Sequence, residues 1–236
     1  KNGTYLNIKN WASSNPLING AGIVENIEPI EYFTSGMRMD SLPIDIQNTG
    51  MSICFWLYPI NNSGSEWYFI FNGLESNFSI KTTKNVSNPG IYSQIDNSDV
   101  LLPFTYTYNK WYHIAVTFSK EIGSRLIYYI NGTQVKIENS NLNLSNSIYG
   151  MFELGNVNFN VKNGANTLNI NNTKYVDVRL YNTVLTNTNI QKIYNNGSGT
   201  IDPIITKSNL LYQYLFYKND YQNDKTILNH GYLKNN

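Results

Sequence analysis

The chain has one cysteine and two histidines in 236 residues, and each scarcity removes a class of chemistry. A lone Cys54 excludes an internal disulfide. Set in Ser52-Ile53-Cys54-Phe55-Trp56, it reads as a small buried thiol on an apolar strand, not a reactive one. His113 and His230 stand far apart and no Gly-x-Ser-x-Gly occurs, so nucleophilic hydrolysis lacks its parts. Charge is scarce too: 14% of residues, 17 basic against 16 acidic, net +1. The lysines and arginines are dispersed with no basic stripe, which argues against nucleic acid as a partner. No apolar run reaches the roughly 18 residues of a spanning helix, so membrane insertion is not expected. A signal-peptide pattern is also missing. The opening at Lys1 without Met is read as that of a fragment or processed product.

What is abundant is Asn, with Ile, Tyr and Lys, a bias that follows from an AT-rich coding sequence. Asn favours turns and offers a neutral donor and acceptor, replacing the charge that usually wets a surface. The Asn-X-Ser/Thr triplets at Asn2, Asn61, Asn77, Asn85, Asn131, Asn143, Asn171 and Asn196 follow from that composition and carry little weight as glycosylation sites.

Short apolar runs recur between Gly, Asn, Ser and Pro clusters, the spacing of an all-β sandwich or barrel. Trp111 to Phe118 and Leu126 to Val135 alternate large apolar with small or polar residues, as half-buried antiparallel strands do. Asn131-Gly132 supplies the two positive-φ positions of a type I′ hairpin turn. Strands are expected at Tyr5–Ile8, Ile27–Phe33, Met37–Met39, Met51–Tyr58, Trp67–Asn72, Phe78–Thr82 and Ile91–Ile95. Others are expected at Val100–Thr105, Trp111–Ser119, Arg125–Ile130, Thr133–Ile137, Met151–Leu154, Asn166–Ile170 and Tyr175–Tyr181. Leu185, Ile190, Ile193 and Tyr194 then take helical spacing, with Thr186 or Asn187 as N-cap and Gly197 as the stop.

Trp111-Tyr112-His113-Ile114-Ala115-Val116-Thr117-Phe118, Tyr128-Tyr129-Ile130-Asn131-Gly132-Thr133 and Val176-Asp177-Val178-Arg179-Leu180-Tyr181-Asn182 resemble the laminin-G-like, concanavalin A-like jelly-roll family. Met51 to Pro59 is similar to a further strand of that family, so four motifs appear in family order between about Tyr32 and Asn196. The resemblance implies an antiparallel β-sandwich over residues 1–200 with one short helix near the C-terminal end. Leu210 to Asp220 followed by Asp224 to Gly231 resembles the family's opening stretch. Residues 201–236 are therefore a connector plus either a returning strand or the start of a second, truncated repeat. The fold and the Asn/Ile/Tyr/Lys bias also resemble the amino-terminal half of clostridial neurotoxin-type binding domains, though the trefoil half has no counterpart in this chain.

Phe55, Trp56, Phe118 and Tyr181 are expected between the sheets, with Trp111 half exposed at a strand start. Asp177 and Arg179 alternate with Val176 and Val178, so if the valines face the core a structural, cross-strand ion pair is expected on the outer side of the sheet. A jelly-roll glycosidase needs two carboxylates on one strand face, roughly 5–9 Å apart. Glu25, Glu28 and Glu31 alternate faces around Pro29 and Glu153 stands alone, so no enzyme is expected.

The family mostly binds, which implies a surface recognition module, extracellular or on a cell or virion surface, with a glycan or glycoprotein as partner. Sugar binding calls for exposed aromatics with neighbouring amides. The ligand-binding candidates are Asn62, Trp67, Tyr68, Tyr106, Tyr108 and Asn109. Relatives with Ca²⁺ on the sandwich rim make Asp96 and Asp99 the candidate metal ligands, against plain turn chemistry. The alternative function is a structural or assembly module whose partners are neighbouring protein subunits.

Overall fold

The computed structural model describes residues 37–44, 50–59, 67–72, 77–82, 90–95, 98–119, 125–139, 148–154, 174–200, 204–205 and 207–214. The strands expected at Tyr5–Ile8, Ile27–Phe33 and Asn166–Ile170 lie outside them. Twelve described strands follow in chain order: β1 (Met37–Ile44), β2 (Met51–Tyr58), β3 (Trp67–Asn72), β4 (Asn77–Thr82), β5 (Gly90–Ile95) and β6 (Ser98–Thr105). Then come β7 (Tyr112–Ser119), β8 (Arg125–Ile130), β9 (Thr133–Asn139), β10 (Ile148–Leu154), β11 (Lys174–Tyr181), helix α1 (Asn187–Tyr194) and β12 (Leu210–Tyr214). They form two six-stranded sheets, β1-β10-β3-β4-β5-β6 and β12-β11-β2-β7-β8-β9, with every pair antiparallel. The result is a β-sandwich of jelly-roll type.

Strand alternation decides what lies between the sheets. Ile53, Phe55 and Leu57 of β2 and Ile114, Val116 and Phe118 of β7 point inward. They meet Ile80, Ile91 and Leu102 of the facing sheet. A polar bridge crosses this layer: the Tyr128 hydroxyl donates to Ser93 Oγ at 2.8 Å, so both buried hydroxyls are satisfied.

The expectation of a half-buried strand fails for β7, and β2 shares its environment. All of β7, and β2 up to Leu57, are buried on both faces. Their outward residues Cys54 and Ala115, with Tyr129 of β8 and Tyr181 of β11, pack under Leu185, Ile190, Ile193 and Leu210. Trp56 is thus not between the sheets as expected. It lies on the outer side, stacked with Tyr194 of α1 at 5.8 Å. Tyr181 lies there too, and Trp111 is only 8% exposed.

α1 is held by its ends and its apolar face. Thr186 Oγ1 accepts from the Asn189 N–H at 3.2 Å, and Asn189 Oδ1 accepts from the Thr186 N–H at 3.0 Å. This is the reciprocal box expected of that N-cap. Ile190 and Ile193 are fully buried, each contributing about 2 kcal/mol of apolar transfer. The stop comes two residues before Gly197: Asn195 takes the left-handed conformation at φ 45°, a role Asn fills nearly as well as Gly.

The hairpin between β8 and β9 follows the sequence reading. Ile130 pairs with Thr133, and Asn131 and Gly132 have φ 50° and 73°. A Cβ on Gly132 would lie 2.8 Å from the Tyr194 ring, so glycine is required there by both backbone and space. Leu210–Tyr214, left open between two readings, pairs antiparallel with β11 and, among the described strands, ends its sheet opposite β9.

Candidate functional site

Strand register gathers most of the sequence candidates at one end of the sandwich. Gly90 pairs with Thr105, Thr82 with Ile91 and Lys81 with Trp67, so the start of β3 and the end of β6 share that end. In the other sheet Leu57 pairs with Tyr112 and Tyr58 with Lys174. Segment 106–111 runs across this end from one sheet to the other. Trp67 and Tyr68 open β3 on the same rim, whereas Asn62 lies outside the described residues. Asp99 pairs with Gln94 beside the Ile95–Ser98 pair, at the opposite end of the sheet, and Asp96 is outside the described residues. Among the described residues no group of three or more His, Cys, Asp or Glu is gathered to hold a metal ion.

The rim segment is braced from below. The Tyr112 hydroxyl accepts from the Thr107 N–H at 2.8 Å and lies 3.3 Å from the Thr107 carbonyl. Asn109 adopts φ 60°, and its N–H donates to the Pro59 carbonyl at 2.8 Å. Asn tolerates that left-handed conformation better than most residues. Tyr106, one of the candidates, is 4% exposed and belongs to the core. It stands edge-on to Tyr108 at 5.4 Å and to Tyr112 at 6.3 Å.

The residues that reach solvent are half-buried Tyr108 and exposed Thr107, Asn109 and Lys110. Half-buried Tyr58 borders them, its ring tilted against Trp111 at 5.2 Å. Chemically this is an aromatic shelf with a neutral amide and one cation, on a backbone that is already fixed. Tyr58 was missed from sequence because it ends an apolar strand. Its one signal is the following Pro59, which stops the strand and leaves its last side chain at the rim.

A second polar cluster lies under α1, on the outer side where Asp177 and Arg179 were expected, but their ion pair forms within β11 and not across strands. Both are buried, at 1% and 0%. Register slips between Val176 and Arg179, a bulge in which Asp177 takes φ 49°. The turned carboxylate accepts from Arg179 Nε at 2.8 Å and from a terminal Arg179 nitrogen at 2.6 Å, and from Gln213 Nε2 of β12 at 3.1 Å. Arg179 also donates to the Thr200 carbonyl and to the Tyr181 hydroxyl. Burial opposes its charge, but Asp177 and Tyr181 outweigh that, so its pKa is raised.

Close by, burial pushes the Cys54 thiol up, with Arg179 opposing. Burial first and the Arg179 charge second lower His113 to about 3. His113 is therefore neutral, its ring 5.2 Å from Trp56 and 6.1 Å from Tyr194. The cluster is sealed from solvent and ties β11, β12 and the segment after α1 together.

The family described as the concanavalin A-like lectin/glucanases superfamily matches residues 34–191 of the chain. No curated protein sequence matches it. Among solved structures it is similar to a native heptameric SAP-like pentraxin from Limulus polyphemus, at 16% identity and TM-score 0.52, over 72% of this chain and 80% of that one. It is also similar to the botulinum neurotoxin serotype C1 binding domain, at 19% identity and TM-score 0.45, over 72% of this chain and 40% of that one. A botulinum neurotoxin DC binding domain in complex with SialylT is 17% identical at TM-score 0.47, over 81% of this chain and 48% of that one. The chain thus spans less than half the length of these toxin domains.

Proposed function

Because the chain belongs to the concanavalin A-like lectin/glucanases superfamily, we propose that it is a non-catalytic module that binds carbohydrate or glycoprotein through the rim at 106–111. The observation that carries this reading is the braced shelf, where half-buried Tyr58 and Tyr108 flank exposed Asn109 and Lys110. A tyrosine edge suits the apolar C–H face of a pyranose, and an amide reads hydroxyls as both donor and acceptor. Because Tyr112 and Pro59 hold the loop, little ordering cost is added when a ligand arrives. The reading places the module outside the cell or on a cell or virion surface. Within the described residues no helix is long and apolar enough to cross a membrane.

A glycan array probed with calcium and again with chelator tests the proposal, and the chelator arm tests the Asp96 and Asp99 reading as well. For any hit, Tyr108→Ala and Asn109→Ala are expected to weaken binding about tenfold each while the melting temperature stays within a few degrees. Absence of binding to every glycan at high micromolar protein would remove the proposal. Unchanged affinity in both variants would move the site off this rim.

A further inference from the structure

Among the described strands β9 pairs only with β8 and ends its sheet. Its irregularity is confined to the hairpin end, between Tyr128 and Tyr129 of the partner strand, and Lys136 to Asn139 pair in regular order with Tyr128 to Arg125. Leu126 and Tyr128 face the core, so Glu138 and Lys136 opposite them share that face. There they form an ion pair at 3.5 Å with side chains about a third exposed, 30% and 33%. Ile137 points to the other face and is 45% exposed, one of two large apolar residues so exposed among the described residues. Lys136 Nζ also lies 3.4 Å from the Leu101 carbonyl, which sets the ammonium at the seam between the two sheets.

We propose that β9 is the docking edge for a second copy of this chain, paired antiparallel about a two-fold axis at Ile137. In that register Lys136 lies opposite the second copy's Glu138, Glu138 opposite its Lys136, and Ile137 against its counterpart. A strand carrying charges of one sign would repel itself when paired this way, and such edge charges serve to keep strands apart. Here the two signs flank the centre symmetrically, so the edge repels strands without the pattern and accepts its own. The net charge of +1 puts little long-range repulsion in the way. The pairing joins two six-stranded sheets edge to edge and is independent of the rim reading.

The test is solution mass by sedimentation equilibrium from low to high micromolar protein. Wild type is expected to pass from monomer to dimer over that range. Lys136→Glu gives two carboxylates on the edge and Glu138→Lys two ammonium groups, so each variant alone is expected to dimerise roughly tenfold more weakly or worse. Mixed one to one, they present opposite signs at both positions, and dimer mass is expected to return. The double exchange Lys136→Glu with Glu138→Lys is expected to dimerise like wild type. Circular dichroism melts confirm that each variant is folded. A wild type that stays monomeric at high micromolar concentration overturns the proposal, and so does a dimer indifferent to both single exchanges.

Discussion

Phe55 and Trp56 are neighbours on β2, both almost fully buried, yet they enter interiors of opposite kinds. Phe55 faces the layer between the sheets, whose described residues are nearly all apolar, and there the polar bridge from Tyr128 to Ser93 closes on itself. Trp56 faces the layer under α1, which holds a buried ion pair, a neutral histidine and a thiol. Within the described residues Trp56 Nε1 and both His113 ring nitrogens have no hydrogen-bond partner. The inner layer depends on area and fit, so its losses scale with volume removed. In the outer layer stability depends on every charge keeping its partner, and one missing group costs more than its size suggests.

The largest effect should come from splitting the ion pair. Asp177→Ala removes the carboxylate that balances the buried Arg179 guanidinium, leaving it neutral acceptors such as the Thr200 carbonyl and the Tyr181 hydroxyl, and is expected to cost about 4 kcal/mol in urea unfolding. Phe55→Ala in the inner layer should cost a similar amount through its cavity. The two are told apart by a second substitution. Adding Arg179→Met to Asp177→Ala should restore most of the loss, because it removes the stranded charge, whereas no second deletion repairs a cavity. A loss under about 1 kcal/mol for Asp177→Ala, or no recovery in the double variant, would make the two layers alike.

How far each layer could be read from sequence follows from the same contrast. Period-two alternation told which residues share a strand face, and it placed Asp177 and Arg179 opposite Val178. Alternation carries no information on whether a face is wet. The cover comes from far along the chain: Ser52 Oγ accepts from the Leu185 N–H, 133 positions away, and donates to the Thr183 carbonyl. The sequence showed α1 as an amphipathic turn but not the strand face it would lie on. At the rim, Tyr108 and Asn109 sit where turn chemistry put them. Tyr106 reads the same in sequence as Tyr108, and only Tyr112, arriving from β7, decides that one ring is core and the other is not.

Acid should act on the outer layer first. His113 is held down to about 3 in the folded chain, against an ordinary value of 6.5. Because the folded value is the lower one, the unfolded chain takes up a proton that the native state refuses. Stability is therefore full above about pH 6.5 and falls as pH drops toward 3. Between pH 7 and pH 5 this group alone should cost about 2 kcal/mol. His113→Phe keeps a ring beside Trp56 and Tyr194 and should flatten the curve over that interval. Parallel curves for variant and wild type would show that the outer layer does not respond to acid through this residue.

A smaller effect is expected at the hairpin turn. Gly132→Ala forces an L residue to φ 73° and drives its Cβ against the Tyr194 ring, for about 1–2 kcal/mol. Since Tyr194 stacks on Trp56, tryptophan emission should shift along with stability, which an inner-layer variant of equal cost would not produce.

The smallest expected change is at the start of α1, and it asks whether the cover can loosen while the inner layer holds. Thr186→Ala deletes the side-chain acceptor for the Asn189 N–H, and such caps contribute about 1 kcal/mol. The helix end is exposed and the lost bond is local, so the cost should appear as faster exchange of the amides of α1. Amides of β7 and β8 answer to global unfolding and should slow or quicken only with total stability. If every amide instead speeds up by the same factor, α1 opens only when the whole sandwich does. Cover and core would then be one cooperative unit, built from two chemistries but unfolding together.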